Sequence, residues 1–170
     1  ASQIGRQRIS YLIVQGQGQG KRIMYLCDEK VREKQNFNLD WYFYHGDNQI
    51  QTGQTQVSDY DPVKLPHDWS LYYPWKEDAP SCGSGGYAET GIGWYRKIFD
   101  VNPQAFTEGR VFTHFEGVYM LSTVWINGHK LGQHVYGYTP FEYEITKYLH
   151  EDGRENVLDV KVDNSAQPGS

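Results

Sequence analysis

The stretch Val124-Trp125-Ile126-Asn127-Gly128-His129-Lys130-Leu131 carries the strongest local structural signal in this chain. It places Asn-Gly between residues that favour β-strands. Asn and Gly tolerate the positive φ angles that both central positions of a type I′ turn require. The stretch therefore predicts a β-hairpin whose turn is Asn127-Gly128.

Further strand and turn patterns extend from this hairpin in both directions. Before it, we expect strands at residues 36–43, 94–101 and 110–115, the first of which ends in a turn at Gly46-Asp47. After it, we expect strands at residues 141–145 and 155–162, with one helical turn at 146–149. Many short strands separated by turns are typical of an antiparallel β-sandwich or jelly roll. The sequence therefore predicts an all-β fold.

Residues 1–31 differ in composition from the rest of the chain. Gln15-Gly16-Gln17-Gly18-Gln19-Gly20 separates two short apolar stretches, residues 9–14 and 23–27. Ordering a Gly/Gln-rich segment costs much backbone entropy, so we expect either a poorly ordered leader or an edge hairpin. Residues 32–170 are assigned to a single β-sandwich domain, since 170 residues suffice for one core.

Composition and charge exclude several classes of function. The formal net charge is -5, so we expect neither nucleic acid nor a membrane as a partner. Cys27 and Cys82 lie far apart and form no CxxC pair, which indicates neither a zinc site nor a disulfide scaffold. We expect no metal or cofactor in this domain. The compartment stays open, with a periplasmic or secreted location favoured over a cytoplasmic one.

Three motifs suggest chemistry, but each is better explained structurally. Gly83-Ser84-Gly85-Gly86-Tyr87-Ala88 has the spacing of a dinucleotide loop, but no apolar strand precedes it and no helix follows. His129 and His134 could suggest a metal pair, but their spacing places them on opposite faces of an extended strand. Glu142 and Glu144 share one strand face, which on a half-buried strand is usually the solvated side.

Seven segments, taken in order and spacing, resemble the sugar-binding domain that opens family 2 glycoside hydrolases. They are Phe37-Asn38-Leu39-Asp40-Trp41, Leu65-Pro66-His67-Asp68-Trp69-Ser70, Gly91-Ile92-Gly93-Trp94-Tyr95-Arg96-Lys97, Phe115-Glu116-Gly117-Val118-Tyr119, Val124-Trp125-Ile126-Asn127-Gly128, Gly137-Tyr138-Thr139-Pro140-Phe141 and Val160-Lys161-Val162-Asp163-Asn164. The resemblance implies a jelly-roll first domain, an immunoglobulin-like domain and a TIM barrel that carries both catalytic carboxylates. It therefore implies no catalytic residue in this chain.

The parent enzyme implied by this resemblance is a retaining exo-β-galactosidase. The forms His67-Asp68-Trp69 and Gly91-Ile92-Gly93-Trp94-Tyr95-Arg96-Lys97 resemble the β-galactosidase branch more than the glucuronidases. In that enzyme the chain would position a β-galactoside and pack against the downstream immunoglobulin-like and barrel domains. The alternatives are a β-glucuronidase or β-mannosidase of the same family, a stand-alone carbohydrate-binding module, and a purely structural spacer.

Four residues are candidates for sugar contact. In His67-Asp68-Trp69 the carboxylate can accept two hydroxyl hydrogens while the indole covers the apolar face of a pyranose. Alternatively, Trp69 lies in the core while His67 and Asp68 brace the long loop that follows. Asp163 resembles a family position that reaches toward the active-site mouth, and Asn164 is a candidate for capping a turn instead.

The end of the sequence at Ser170 falls before the closing strand that the family resemblance implies. A sandwich without that strand has an edge of unpaired N–H and C=O groups, which recruits a substitute. We expect either the apolar stretches of the leader to pair with this edge or two copies of the chain to associate through it.

Overall fold

The computed structural model describes residues 8–16, 32–47, 50–73, 90–101 and 109–165, and these form two antiparallel sheets. Ten strands lie within the described residues: β1 (Arg8–Gly16), β2 (Arg32–Asn36), β3 (Trp41–His45), β4 (Asp61–Val63), β5 (Ile92–Phe99), β6 (Gly109–Gly117), β7 (Leu121–Ile126), β8 (His129–His134), β9 (Phe141–Glu144) and β10 (Asn156–Asp163). The four-stranded sheet has the order β2-β1-β6-β9, and the six-stranded sheet has the order β4-β3-β5-β10-β7-β8. The predicted antiparallel β-sandwich is confirmed.

Buried residues of both sheets form one hydrophobic core between them. The alternation along β10 shows how, because Leu158, Val160 and Val162 point inward and are fully buried. Other core members are Phe37, Trp41, Phe43, Trp69, Tyr95, Phe99, Val111, Phe115, Val124 and Ile126. Aromatic residues supply much of this core. In the part of the chain that the structure describes, no helix has the length and apolar character needed to cross a membrane.

The predicted hairpin is confirmed in β7 and β8, which join through Asn127-Gly128 with φ values of 48° and 81°. The Asn127 side chain also holds the turn to neighbouring elements. Its Oδ1 accepts from the Val157 amide at 2.8 Å, and its Nδ2 donates to the Tyr148 carbonyl at 2.8 Å. Tyr148 belongs to the 3₁₀ turn Thr146–Tyr148, where one helical turn was predicted. The hairpin turn therefore anchors β10 and this 3₁₀ turn as well.

Replacing Gly128 by Val is expected to lower the free energy of unfolding by roughly 1 kcal/mol or more, because a β-branched residue resists positive φ. Space is not the obstacle, since a Cβ on Gly128 would meet only the Thr52 carbonyl oxygen, at 3.5 Å. Urea denaturation measures the loss. The control Gly128→Asn should retain most of the stability, because Asn tolerates this backbone region. Equal losses in both variants would contradict the explanation by φ.

The strand predicted at residues 36–43 is wrong as one continuous strand. β2 ends at Asn36 in one sheet and β3 begins at Trp41 in the other, so the chain crosses between the sheets. The crossing includes Asp40 with a φ of 55°, and the Lys97 ammonium donates to the carbonyl of Leu39 at 2.7 Å. Apolar residues continue through the crossing because both sheets bury them in the same core.

Strand β1 comes from the segment predicted to be a leader. It lies between β2 and β6, so the four-stranded sheet contains residues from both sides of the boundary predicted at residue 31. Ile13, for example, pairs with Lys34 on one side and with Phe112 on the other. The second apolar stretch, residues 23–27, lies outside the described residues. Association between two copies of the chain stays a prediction.

Candidate functional site

Asp68 begins the 3₁₀ turn Trp69–Tyr72 and caps it. Its Oδ1 accepts hydrogen bonds from the Ser70 amide at 3.0 Å and from the Ser70 hydroxyl at 2.6 Å. A carboxylate at this position satisfies an amide that the turn itself leaves unpaired. One carboxylate oxygen of this sugar-contact candidate therefore serves the local backbone.

His67 lies beneath the same turn with an exposed fraction of only 6%. Its Nδ1 and the Tyr95 hydroxyl share a hydrogen bond of 2.8 Å, and the exposed ring of Tyr72 stacks on the imidazole at 5.5 Å. Burial lowers the pKa of His67, and the nearby Asp68 carboxylate partly opposes this shift. His67 is therefore a buried residue that connects the turn to β5.

The lowered pKa of His67 predicts a loss of stability in acid. The unfolded chain binds a proton at an ordinary pKa of 6.5, whereas the folded chain binds it only at lower pH. The stability that neutral His67 contributes is therefore fully present above this pH and is lost as the pH falls below it. We expect the free energy of unfolding to decrease on acidification from neutral pH, as measured by urea denaturation. His67→Gln should remove part of this slope, and an unchanged slope would contradict the role of His67.

Trp69 lies in the core, with 2% of its surface exposed. Its ring stacks on Phe43 with centroids 5.4 Å apart and planes 18° apart. A Cβ added to Gly93 would approach the Trp69 ring to 2.9 Å, so a glycine in β5 makes room for the indole. This arrangement corresponds to the structural alternative for Trp69, because no face of its ring is open to a pyranose.

Asp163 and Asn164 have different contacts at the end of β10. Asp163 Oδ1 accepts from the Ser165 amide at 2.9 Å. Asn164 binds Gly91 twice, because its amide donates to the Gly91 carbonyl at 3.0 Å and its Oδ1 accepts from the Gly91 amide at 2.8 Å. Asp163 therefore binds the backbone two residues further along, whereas Asn164 joins the end of β10 to the start of β5.

The two candidate regions lie at the same end of the six-stranded sheet. Asp163 pairs with Ile92 and with Leu121, while the adjacent Gly93 pairs with His45 and contacts Trp69. We call this end of the sandwich, with His45, Gly91–Gly93, Leu121 and Asp163, the Asp163 end. The structure brings Trp69 and Asp163 to this end but leaves only Asp163 partly exposed.

His45 and Tyr73 are residues of this end that sequence reasoning missed. The imidazole of His45 lies 5.8 Å from the ring of Trp69 and 5.1 Å from the ring of Tyr73. Neither residue belongs to a motif, since His45 ends β3 and Tyr73 follows the 3₁₀ turn Trp69–Tyr72, and their proximity depends on how that turn packs against the sheet. No local signal in the sequence could have identified them.

A buried ion pair on the outer side of β5 was also missed. Arg96 Nε donates to Asp159 Oδ1 at 2.7 Å, and both side chains are almost fully buried. The other Arg96 nitrogens donate to the carbonyls of Gln51 and Gln56, and the Gly53 amide donates to Asp159 Oδ2 at 2.7 Å. The pair therefore fastens the loop at residues 50–57 onto the sheet.

Tyr60 completes the cover over this ion pair. Its ring lies 5.1 Å from the Arg96 guanidinium carbon, in the geometry of a cation–π contact. Burial raises the pKa of Tyr60 to about 12, although the positive charge of Arg96 acts in the opposite direction. The hydroxyl therefore stays protonated at physiological pH.

The paired glutamates and histidines of the sequence contact neighbouring side chains of the same domain. Glu142 lies 3.5 Å from His114, and Glu144 lies 3.6 Å from Arg110, on the solvated side of β9. His129 stacks on Tyr148, and His134 stacks on Phe141. Among the described residues, no cluster of three or more His, Cys, Asp and Glu side chains could hold a metal ion. The glycine motif at residues 83–88 and both cysteines lie outside the described residues.

Comparisons with known proteins agree on one family. The family described as "Glycosyl hydrolases family 2, sugar binding domain" matches residues 55–170. A β-galactosidase of Bacteroides ovatus is 44% identical over 142 residues, which cover 82% of this chain and 16% of that protein. A putative β-glucuronidase of Formosa agariphila is 35% identical over 163 residues, which cover 92% of this chain and 16% of that protein.

The structural comparison gives the same result. A family 2 glycosyl hydrolase from Bacteroides cellulosilyticus superimposes with a TM-score of 0.72 at 35% identity, over 78% of this chain and 18% of that one. The chain thus spans about a sixth of the length of the relatives that it matches.

Proposed function

Since this chain belongs to glycoside hydrolase family 2 and carries its sugar-binding domain, we propose that it is the non-catalytic first domain of a retaining exo-β-galactosidase. In this role it would help to form the rim of the substrate pocket and would pack against the catalytic barrel. The observation that carries the proposal is the 44% identity to a β-galactosidase, which is higher than the 35% identity to the putative β-glucuronidase. The presence of β-glucuronidases among the relatives makes that activity the alternative.

The residue contacts support a positioning role. Retaining hydrolysis requires two carboxyl groups about 5 Å apart that flank the scissile bond. Glu142 and Glu144, the pair with the most suitable spacing in the sequence, instead lie near His114 and Arg110 on an exposed strand face. This pair therefore does not flank a substrate site, and we propose that the catalytic carboxylates come from outside this domain.

Asp163 is the residue that we propose for substrate contact. Its Oδ1 is held by the Ser165 amide, so a sugar hydroxyl would bind at Oδ2. Asn164 fixes the end of β10 to Gly91 and thereby sets the direction of the neighbouring carboxylate. His67 and Trp69 would support this end of the sandwich from within, and the partly exposed Asp68 would brace it by capping the turn Trp69–Tyr72.

The activity is tested with the whole protein and two aryl glycosides that share one leaving group. We expect a much higher kcat/KM for 4-nitrophenyl β-galactoside than for the corresponding β-glucuronide. The 170-residue chain alone should release no nitrophenol from either substrate. A preference for the β-glucuronide would identify the whole protein as a β-glucuronidase. Hydrolysis by the 170-residue chain alone that is lost in Glu142→Gln would contradict the non-catalytic role.

The stand-alone binding module is tested by calorimetry with the 170-residue chain and galactose. We expect a Kd of about 1 mM or weaker, which corresponds to about 4 kcal/mol or less, because part of a pocket lacks most of the convergent contacts. A micromolar Kd would instead support a free-standing carbohydrate-binding module.

A further inference from the structure

The loop at residues 135–140, between β8 and β9, presents large side chains to solvent. Val135, Tyr136 and Tyr138 have exposed fractions of 68%, 57% and 61%. Tyr95 lies in the core, and the exposed rings of Tyr72 and Tyr73 pack against the imidazoles of His67 and His45. Two exposed aromatic rings in one short loop therefore need an explanation other than core packing, and such surfaces commonly bind a ligand or a partner.

Contacts beneath the loop hold these rings in place. The Tyr138 ring contacts Tyr119 and Tyr136 in edge-on geometry, with centroids 5.7 Å apart in both pairs. A Cβ on Gly137 would approach Tyr119 Cδ2 to 2.5 Å, so only glycine allows this close approach. His134 Nε2 and Thr139 Oγ1 are 3.0 Å apart and close the loop. The rings are therefore preorganised, which reduces the entropy that a ligand must overcome.

The strand register places this loop at the Asp163 end. Asp163 pairs with Leu121, and the next residue, Ser122, pairs with His134, the last residue of β8. The loop begins at the following residue. The tyrosines and the carboxylate proposed for substrate contact thus lie at the same end of the sandwich.

The chemistry of the loop fits a neutral sugar. Tyrosine offers a flat apolar face and a polar edge, which match the C–H face and the hydroxyl groups of a pyranose. Residues 135–140 include no Lys, Arg, Asp or Glu, so the loop offers no charge to attract an anionic or cationic ligand. A pocket that encloses the terminal sugar leaves only the leaving-group part of an oligosaccharide to extend across the rim.

We propose that Tyr136 and Tyr138 form a platform that binds a neutral sugar on the leaving-group side of the cleaved bond. This inference rests on the proposed function, because it assumes that the Asp163 end borders the active site. The platform would favour oligosaccharides over glycosides with small leaving groups. It would act on substrate affinity and not on the chemical step.

The test compares two substrates of the whole protein that share the same terminal sugar: methyl β-galactoside and a linear β-galactotriose. In the double variant Tyr136→Ala/Tyr138→Ala, we expect the KM for the trisaccharide to rise about tenfold, with kcat unchanged. Kinetics with methyl β-galactoside should stay at the wild-type level. The variant Tyr136→Phe/Tyr138→Phe keeps both rings and should keep most of the affinity. Val135→Ser is the matched control, because it replaces an exposed apolar residue of the same loop. It should leave KM and kcat unchanged for both substrates.

Other outcomes separate the possible failures. Equal kinetic losses for both substrates, accompanied by a lower melting temperature, would show that the tyrosines dock another part of the protein and would overturn the platform. Unchanged KM values in the alanine double variant would overturn it as well. If the wild-type enzyme cleaves β-glucuronides instead, the two substrates are a methyl β-glucuronide and an oligosaccharide that ends in glucuronic acid. The platform then requires the same selective rise in the KM for the oligosaccharide. A whole protein that cleaves no β-glycoside would contradict the proposed function, and the platform inference would fail with it.

Discussion

The variant Asp159→Asn is expected to lower the free energy of unfolding by about 3 to 5 kcal/mol, because it leaves the Arg96 guanidinium charged, buried and uncompensated. The wild-type contact measures 2.7 Å, and the two side chains have exposed fractions of 3% and 0%. Asn preserves the size of the side chain, so the loss would report the missing charge and the one hydrogen bond that the amide NH2 cannot accept, rather than a cavity. Urea denaturation of the 170-residue chain measures it.

The control for this experiment is an ion pair of the same length on the surface. Arg154 Nε lies 2.7 Å from Asp152 Oδ2, but the two side chains are 68% and 58% exposed. Water and salt screen such a pair, so Asp152→Asn should leave the denaturation midpoint unchanged. Equal effects of Asp159→Asn and Asp152→Asn would contradict the importance of burial.

A second comparison separates the charge from the loop that it holds. The double variant Arg96→Met/Asp159→Leu removes both charges, so no buried ion remains unpaired, and part of the lost stability should return. The hydrogen bonds to Gln51, Gln56 and Gly53 are absent in this variant, so recovery should be incomplete. The remaining deficit measures how much the loop at residues 50–57 contributes.

Features encoded in short stretches were predicted well from the sequence. The β7–β8 turn depends on Asn127 and Gly128 alone, and the alternation along β10 is visible in eight consecutive residues. The predicted strands at residues 94–101, 110–115 and 141–145 correspond to β5, β6 and β9. Their residue types and turn signals lie close together in the chain.

Features that depend on distant residues were not predicted. The crossing between β2 and β3 is held by Lys97, 58 positions beyond the Leu39 carbonyl that it binds. The pairing of Arg96 with Asp159 spans 63 positions. Nothing near either residue indicates its partner, because strand register and loop placement are set by the packed sandwich.

The candidate site shows the same division between local and distant information. The sequence identified His67, Asp68, Trp69 and Asp163 as chemically suitable, and the structure places Trp69 and Asp163 at one end of the sheet. The sequence alone could not show which of these rings and carboxylates is accessible to solvent. For Trp69 that depends on Gly93 and Phe43, which provide the space and the stacking surface.

Replacing Trp69 by Ala should therefore act on stability, with an expected loss of about 3 to 5 kcal/mol in the free energy of unfolding. The indole is 2% exposed and contacts the rings of Phe43, His45 and Tyr95, so its removal leaves a large cavity in the core. Trp69→Phe fills part of that volume and should lose less. Urea denaturation measures the free energy of unfolding of the wild type and of both variants.

The matched control is Leu71→Ala, in the same 3₁₀ turn, because Leu71 is 78% exposed and its truncation should leave the denaturation midpoint near that of the wild type. The alternative role of Trp69, stacking on a pyranose, makes the opposite prediction. It requires Trp69→Ala to keep the wild-type stability while the affinity for a galactoside falls. A Trp69→Ala domain that keeps its stability but binds sugar more weakly would therefore show that the indole contacts sugar. It would contradict the role of Trp69 in packing the core around Phe43.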